Sequence, residues 1–109
     1  METEPSLTRR LRLQTLLETV SGLSEAYVHF QPPTGTEMSY PAITYSRSRA
    51  ETDFADNLPY RSAQSYTVTV IHKDPDNDIR DQIAALPYCK FDRWYATDGL
   101  NHDVYTLFF

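Results

Sequence analysis

Residues 60–109 read without slack as a strand, a capped helix and a hairpin, and this order constrains the fold more than any other feature of the chain. Residues 64–72 alternate, with Tyr66, Val68 and Val70 set against Thr67, Thr69 and Ile71, which is the period of a strand with two unlike faces. Asp74-Pro75 then offers an N-cap and a pre-set first helical residue. Asp76 and Asp78 fall where the helix dipole favours negative charge, Ile79, Ile83 and Leu86 recur on one face, and Pro87 stops the helix. Residues 88–95 and 101–109 flank Asp98-Gly99, a dipeptide suited to positive φ, and are expected to pair as an antiparallel hairpin running to the last residue. A three-residue turn pairs Cys89 and Phe91 with Phe109 and Leu107 on one face, whereas a two-residue turn scatters these groups over both; core burial favours the former.

In the first half, Leu7, Leu11, Leu13, Leu16, Leu17, Val20 and Leu23 predict a helix over Ser6–Ser21, stopped by Gly22, whose apolar stripe covers the sheet. Arg9, Arg10 and Arg12 crowd its first turns, where the dipole disfavours cations, so they are read either as a solvated face or as contacts with another molecule. Residues 26–31 and 42–46 read as short strands joined by Pro32-Pro33-Thr34-Gly35, a loose hairpin. Residues 47–61 are polar with no clear period and read as a long loop. Within it Phe54 stands among Glu51, Asp53 and Asp56, and either folds back on its own domain or docks on a neighbouring subunit. The whole is an α+β chain, two helices on one face of a small, mostly antiparallel sheet in the order α-β-β-β-α-β-β. It is expected to form one domain over residues 1–109, a length that buries roughly 65% of the unfolded chain's surface.

A net charge of −5 argues against free-standing nucleic-acid binding, which needs a basic face. No apolar run is long enough to span a bilayer and no signal-peptide pattern is present, so a soluble protein made in the cytoplasm is expected. The single Cys89 cannot form an internal disulfide and reads as a core residue. Asp74-Pro75-Asp76-Asn77-Asp78 begins like a calcium loop, but Ile79 replaces the required glycine and Ala85 the bidentate glutamate; capping explains the acids instead. Cys89 and His102 fall on the order of 20 Å apart by strand rise, too far for a catalytic pair. His29, His72 and His102 read as isolated surface or strand-end residues, and no nucleophile, zinc or phosphate-loop motif occurs. The expected catalytic, metal and cofactor set is empty, and the protein is expected to be non-enzymatic.

Eight tyrosines, five phenylalanines and Trp94 exceed what so small a core needs. Tyr27, Tyr66, Phe91 and Tyr105 are the expected core members, which leaves Tyr40, Tyr45, Tyr60, Tyr88 and Trp94 for a subunit contact.

The succession Phe54-Ala-Asp-Asn57, Tyr66-Thr-Val-Thr-Val-Ile71, Lys73-Asp-Pro-Asp76, Leu86-Pro87-Tyr88-Cys89-Lys90-Phe91 and Leu100-Asn101-His102-Asp103-Val104-Tyr105 resembles the tail terminators, small tail-completion proteins of long-tailed bacteriophages. The likeness runs over most of the chain from about residue 40 and is a whole-domain pattern. It implies a non-enzymatic virion protein that forms a ring, commonly of six copies, caps the tail tube and docks it to the head connector. Its partners would be copies of itself, the tail tube protein and the head connector or stopper, with DNA passing through the lumen unbound; an acidic lumen would serve that passage. It would reside in the tail or neck of the virion, and in the host cytoplasm during assembly. Candidate contacts with neighbouring subunits, tail or connector are Arg9, Arg10, Arg12, Arg47, Arg49, Phe54, Tyr60 and Trp94. The other readings are a head-side connector or minor capsid protein of the neck, and a small module that captures a peptide on a sheet edge.

Overall fold

Alternating apolar residues in 64–72 and in 100–108 build the centre of the molecule, and the rest of the chain is laid against it. The structure is a computed structural model and describes residues 6–48, 64–74 and 76–109. Its elements run α1 (Ser6–Ser21), a 3₁₀ turn (Glu25–Tyr27), β1 (Val28–Phe30), β2 (Ala42–Arg47), β3 (Ser65–His72), α2 (Asp78–Ala84), β4 (Cys89–Thr97) and β5 (Leu100–Phe108). The five strands form one sheet in the order β1-β2-β3-β5-β4, every neighbouring pair antiparallel except β1 with β2. This is the expected α+β architecture.

Both helices lie on one face. Leu13 and Leu17 of α1 and Ile83 of α2 pack on Val28, Ile43, Tyr45, Tyr66, Val68, Val70, Tyr105 and Leu107, with Leu16, Val20, Ile79, Leu86 and Cys89 around them. Register puts Thr44, Thr67, Thr69 and Thr106 on the opposite face, between buried Ala42, Ile71, Val104 and Phe108. Threonine suits such a surface, being β-branched yet polar. Gly22 ends α1 at φ +74, its N–H donating to Glu18 O at 2.9 Å.

Several local expectations are corrected. Residues 26 and 27 belong to the 3₁₀ turn, closed by Tyr27 N–H donating to Ser24 O, so β1 starts at Val28. The loose hairpin is instead a parallel pair, Val28 opposite Ile43 and Phe30 opposite Tyr45. Residues 31–41 are long enough to carry the chain back to the start of its neighbour, and Gln31 leaves the strand at φ +44. The α2 cap is Asn77, whose side chain accepts from Ile79 N–H at 2.7 Å; Asp74 makes a local turn, accepting from Asp76 N–H at 2.9 Å. Pro75 lies outside the described residues, and the helix ends at Ala84, before Pro87.

The terminal hairpin closes with Thr97 opposite Leu100, a two-residue turn, and not with the three-residue turn that core burial favoured. Asp98 at φ +54 and Gly99 at φ +75 supply the two positive φ values of a type I′ turn. The objection that such a turn scatters the apolar groups is met by a β-bulge at Asp92. The register shifts between Phe91, opposite Tyr105, and Arg93, opposite Val104, so that Cys89, Phe91 and Trp94 all share the face of Tyr105 and Leu107.

Candidate functional site

Strand β4 is a sheet edge paired on one side only, and residues 90–99 are exposed throughout. Phe91, expected in the core, is 53% exposed and Trp94 57% exposed. The edge position accounts for both: the bulge sets the two rings on the same, helix-bearing face, but at the rim of the sheet. Phe91 packs edge-on against Tyr105 at 5.6 Å between centroids. On the other face Tyr95 stacks on His102 at 4.5 Å and 11°. Tyr45, expected at a contact, is core: buried, its hydroxyl donates to Gln14 Oε1, and burial raises its pKa in spite of the neighbouring Arg10. Tyr66 and Tyr105 are buried as expected and Tyr27 is half-buried.

Between α2 and β4 runs a groove of about 470 Å³ walled by Arg80, Phe91, Trp94 and Tyr105. At its floor lie His72 and Asp103, 1% and 3% exposed. His72 Nε2 stands 2.5 Å from Asp103 Oδ2, and Nδ1 stands 2.6 Å from the carbonyl oxygen of Asp74. Sequence reasoning missed this pair and placed His72 as an isolated residue at the surface or a strand end. It is at the end of β3, but buried, because the helix face of the sheet continues to the last residue of that strand. The Tyr105 hydroxyl donates to Arg80 O at 3.1 Å across the groove wall, and burial raises its pKa to about 12.

The candidate arginines of α1 do not stand together as a free basic patch. Arg9 is buried, on the same stripe as Leu13 and Leu17. The Arg10 guanidinium lies 4.7 Å from the centroid of the Phe30 ring, and that of Arg12 lies 4.9 Å from Phe109. The leucines divide too: Leu13 and Leu17 cover the sheet, whereas Leu7 and Leu11 are exposed. Leu11 joins Arg12, Leu16 and Phe109 in a shallow apolar groove of about 650 Å³. Arg47 ends β2 with an exposed side chain, its N–H donating to Gln31 Oε1 at 3.3 Å. Arg49, Phe54 and Tyr60 lie outside the described residues.

Cys89 packs at the margin of the core, and burial raises its thiol pKa to about 11, so it is a thiol and not a thiolate at neutral pH. It pairs with Leu107, whereas His102 pairs with Tyr95 near the opposite end of the strand. Among the described residues no three of His, Cys, Asp and Glu converge as a metal site, and no helix is long and apolar enough to cross a membrane.

No protein-family model matches the chain, and no characterised protein or solved structure matches it.

Proposed function

We propose that this chain is a non-enzymatic structural protein of a phage neck, a tail terminator that forms a ring, caps the tail tube and joins it to the head connector. The observation that carries the reading is large apolar surface left bare in two separate places, the Leu7–Leu11 side of α1 and the β4 rim with Phe91, Trp94 and Tyr95. Large exposed apolar patches mark sites of association. A ring subunit must meet neighbouring copies, the tube below and the connector above, which calls for several unlike surfaces. The resemblance over most of the chain from about residue 40 and the α+β order of elements agree with such a subunit.

Electron microscopy of a lysate made without this gene product tests the proposal. DNA-filled heads beside unjoined or overlong tails support tail termination. Full heads that leak DNA move the protein to the head side as a connector, and normal infectious particles overturn the reading.

A second reading, a module that captures an extended peptide on its sheet edge, draws on the unpaired side of β4. It is separated from the first by a chain that binds peptide yet forms no ring under any condition.

A further inference from the structure

The two edges of the sheet differ. The β1 edge is three residues long, and Gln14 Nε2 donates to its Val28 carbonyl at 3.2 Å. The β4 edge is nine residues long, exposed and aromatic. Long open edges template a further strand, and proteins commonly shield them.

The backbone phase of β4 fixes what strand could add. Tyr88 O accepts from Phe108 N–H at 3.0 Å, so alternation turns Tyr88 and Lys90 toward β5 and leaves Cys89 and Phe91 facing outward. From the other end, the turn-closing pair of Thr97 and Leu100 faces inward, which leaves Ala96 and Trp94 outward. The bulge at Asp92 joins these two phases. Phe91 and Trp94, three residues apart, therefore share both a sheet face and an outward backbone direction.

In a two-fold antiparallel pair, opposed residues exchange roles between the copies and so must share backbone phase. A regular strand satisfies this only for residues an even number apart. The bulge lets Phe91 and Trp94 satisfy it at an odd spacing. An axis between Asp92 and Arg93 then sets Asp92 of one copy against Arg93 of the other, Phe91 against Trp94, and Lys90 against Tyr95. These are opposite charges, an aromatic pair on the helix face, and a cation beside a ring on the far face. Moving the register one residue either way sets Asp92 on Asp92 or Arg93 on Arg93, which like charge disfavours. Within one chain Arg93 Nη1 already holds Asp92 Oδ2 at 2.8 Å, but both side chains are exposed and such a pair is weak.

We propose that β4 is a self-complementary edge through which two copies of this chain pair antiparallel about a two-fold axis between Asp92 and Arg93, joining their sheets. The occupant of the edge is a second copy because Lys90-Phe91-Asp92 complements Arg93-Trp94-Tyr95 in charge and in ring placement. The contact is isologous, unlike the head-to-tail contacts of a ring, and it does not depend on the neck reading.

Sedimentation equilibrium of the purified full chain tests it, with Asp92→Arg and Arg93→Asp as the variants. Both positions are exposed, and unchanged thermal unfolding of the variants verifies the fold. The expected result is a wild-type mass twice the 12.6 kDa of the chain. Each single charge reversal weakens pairing roughly tenfold or more, and an equimolar mixture of the two variants regains it. A wild type that stays monomeric at all accessible concentrations overturns the proposal, as does a monomer that binds only foreign peptide. A dimer insensitive to both reversals also overturns it. A ring insensitive to both reversals removes this pairing while leaving the neck reading standing.

Discussion

His72 Nε2 approaches Asp103 Oδ2 to 2.5 Å while Nδ1 of the same ring approaches Asp74 O to 2.6 Å, and both partners are acceptors when the carboxylate is ionised. A neutral imidazole donates through one nitrogen only. The buried arrangement is satisfied by a charged ring on a carboxylate, or by a neutral ring with a protonated Asp103. Either form ties the end of β3 to β5 and to the turn that leads into α2.

Removing Asp103 therefore strips a buried ring of one of its two partners. Asp103→Ala is expected to cost roughly 3–5 kcal/mol of folding stability in urea unfolding. Asp103→Asn keeps an oxygen acceptor and is expected to cost clearly less. Equal losses for the two substitutions would mean that packing, and not the hydrogen bond, governs the site.

Alkaline pH should weaken the fold in a definite window. Burial raises the Cys89 thiol from 9.0 to about 11 and the Tyr105 phenol from 10.0 to about 12, so the folded chain keeps protons that the unfolded chain has lost. Their stabilising contribution is complete below about pH 9 and is lost as pH rises to about 11 for Cys89 and about 12 for Tyr105. Thermal unfolding between pH 8 and pH 11 measures the decline, and Cys89→Ala should flatten the lower part of it. Thiol labelling of the folded chain at pH 8 should be much slower than labelling in denaturant.

The hairpin turn depends on backbone conformation alone at Gly99, where an added Cβ meets no atom within 4 Å but φ is +75. Gly99→Ala is expected to destabilise by about 1–2 kcal/mol. Asp98→Asn, which suits positive φ at least as well, should be neutral or slightly stabilising in the same chemical denaturation experiment.

At α2 the cap assignment is open to a direct comparison. Asn77→Ala should cost about 1 kcal/mol, because it leaves the Ile79 N–H without its side-chain acceptor. Asp74→Ala disturbs only the turn before the helix and should cost less. The reverse ranking would restore Asp74 as the cap.

The parts of the fold legible in the sequence were those with a local period. Alternation marked β3, spacing marked α1 at Ser6–Ser21, and Asp98-Gly99 marked the hairpin. What failed was information the chain does not carry locally. Nothing between Phe30 and Ala42 says whether two short strands run parallel, since that is settled by the route of residues 31–41 across the sheet. The bulge carries no glycine or proline to announce it; it follows from reconciling a two-residue turn with the burial of Tyr105 and Leu107. For the candidate site, Trp94 was legible as an aromatic without a core position and is exposed at the rim. His72 and Asp103 stand 31 residues apart in sequence and meet only because β3 and β5 pair. The burial of Arg9 did have a signal, its spacing of four and eight residues from Leu13 and Leu17.

The most direct test of the neck reading is complementation in vitro, adding the purified chain to heads and tails made in its absence and counting joined, infectious particles. The chain is expected to bind the head-proximal end of the tails and to restore joining. Tails that neither bind it nor join to heads in its presence, while authentic lysate restores both, would contradict it.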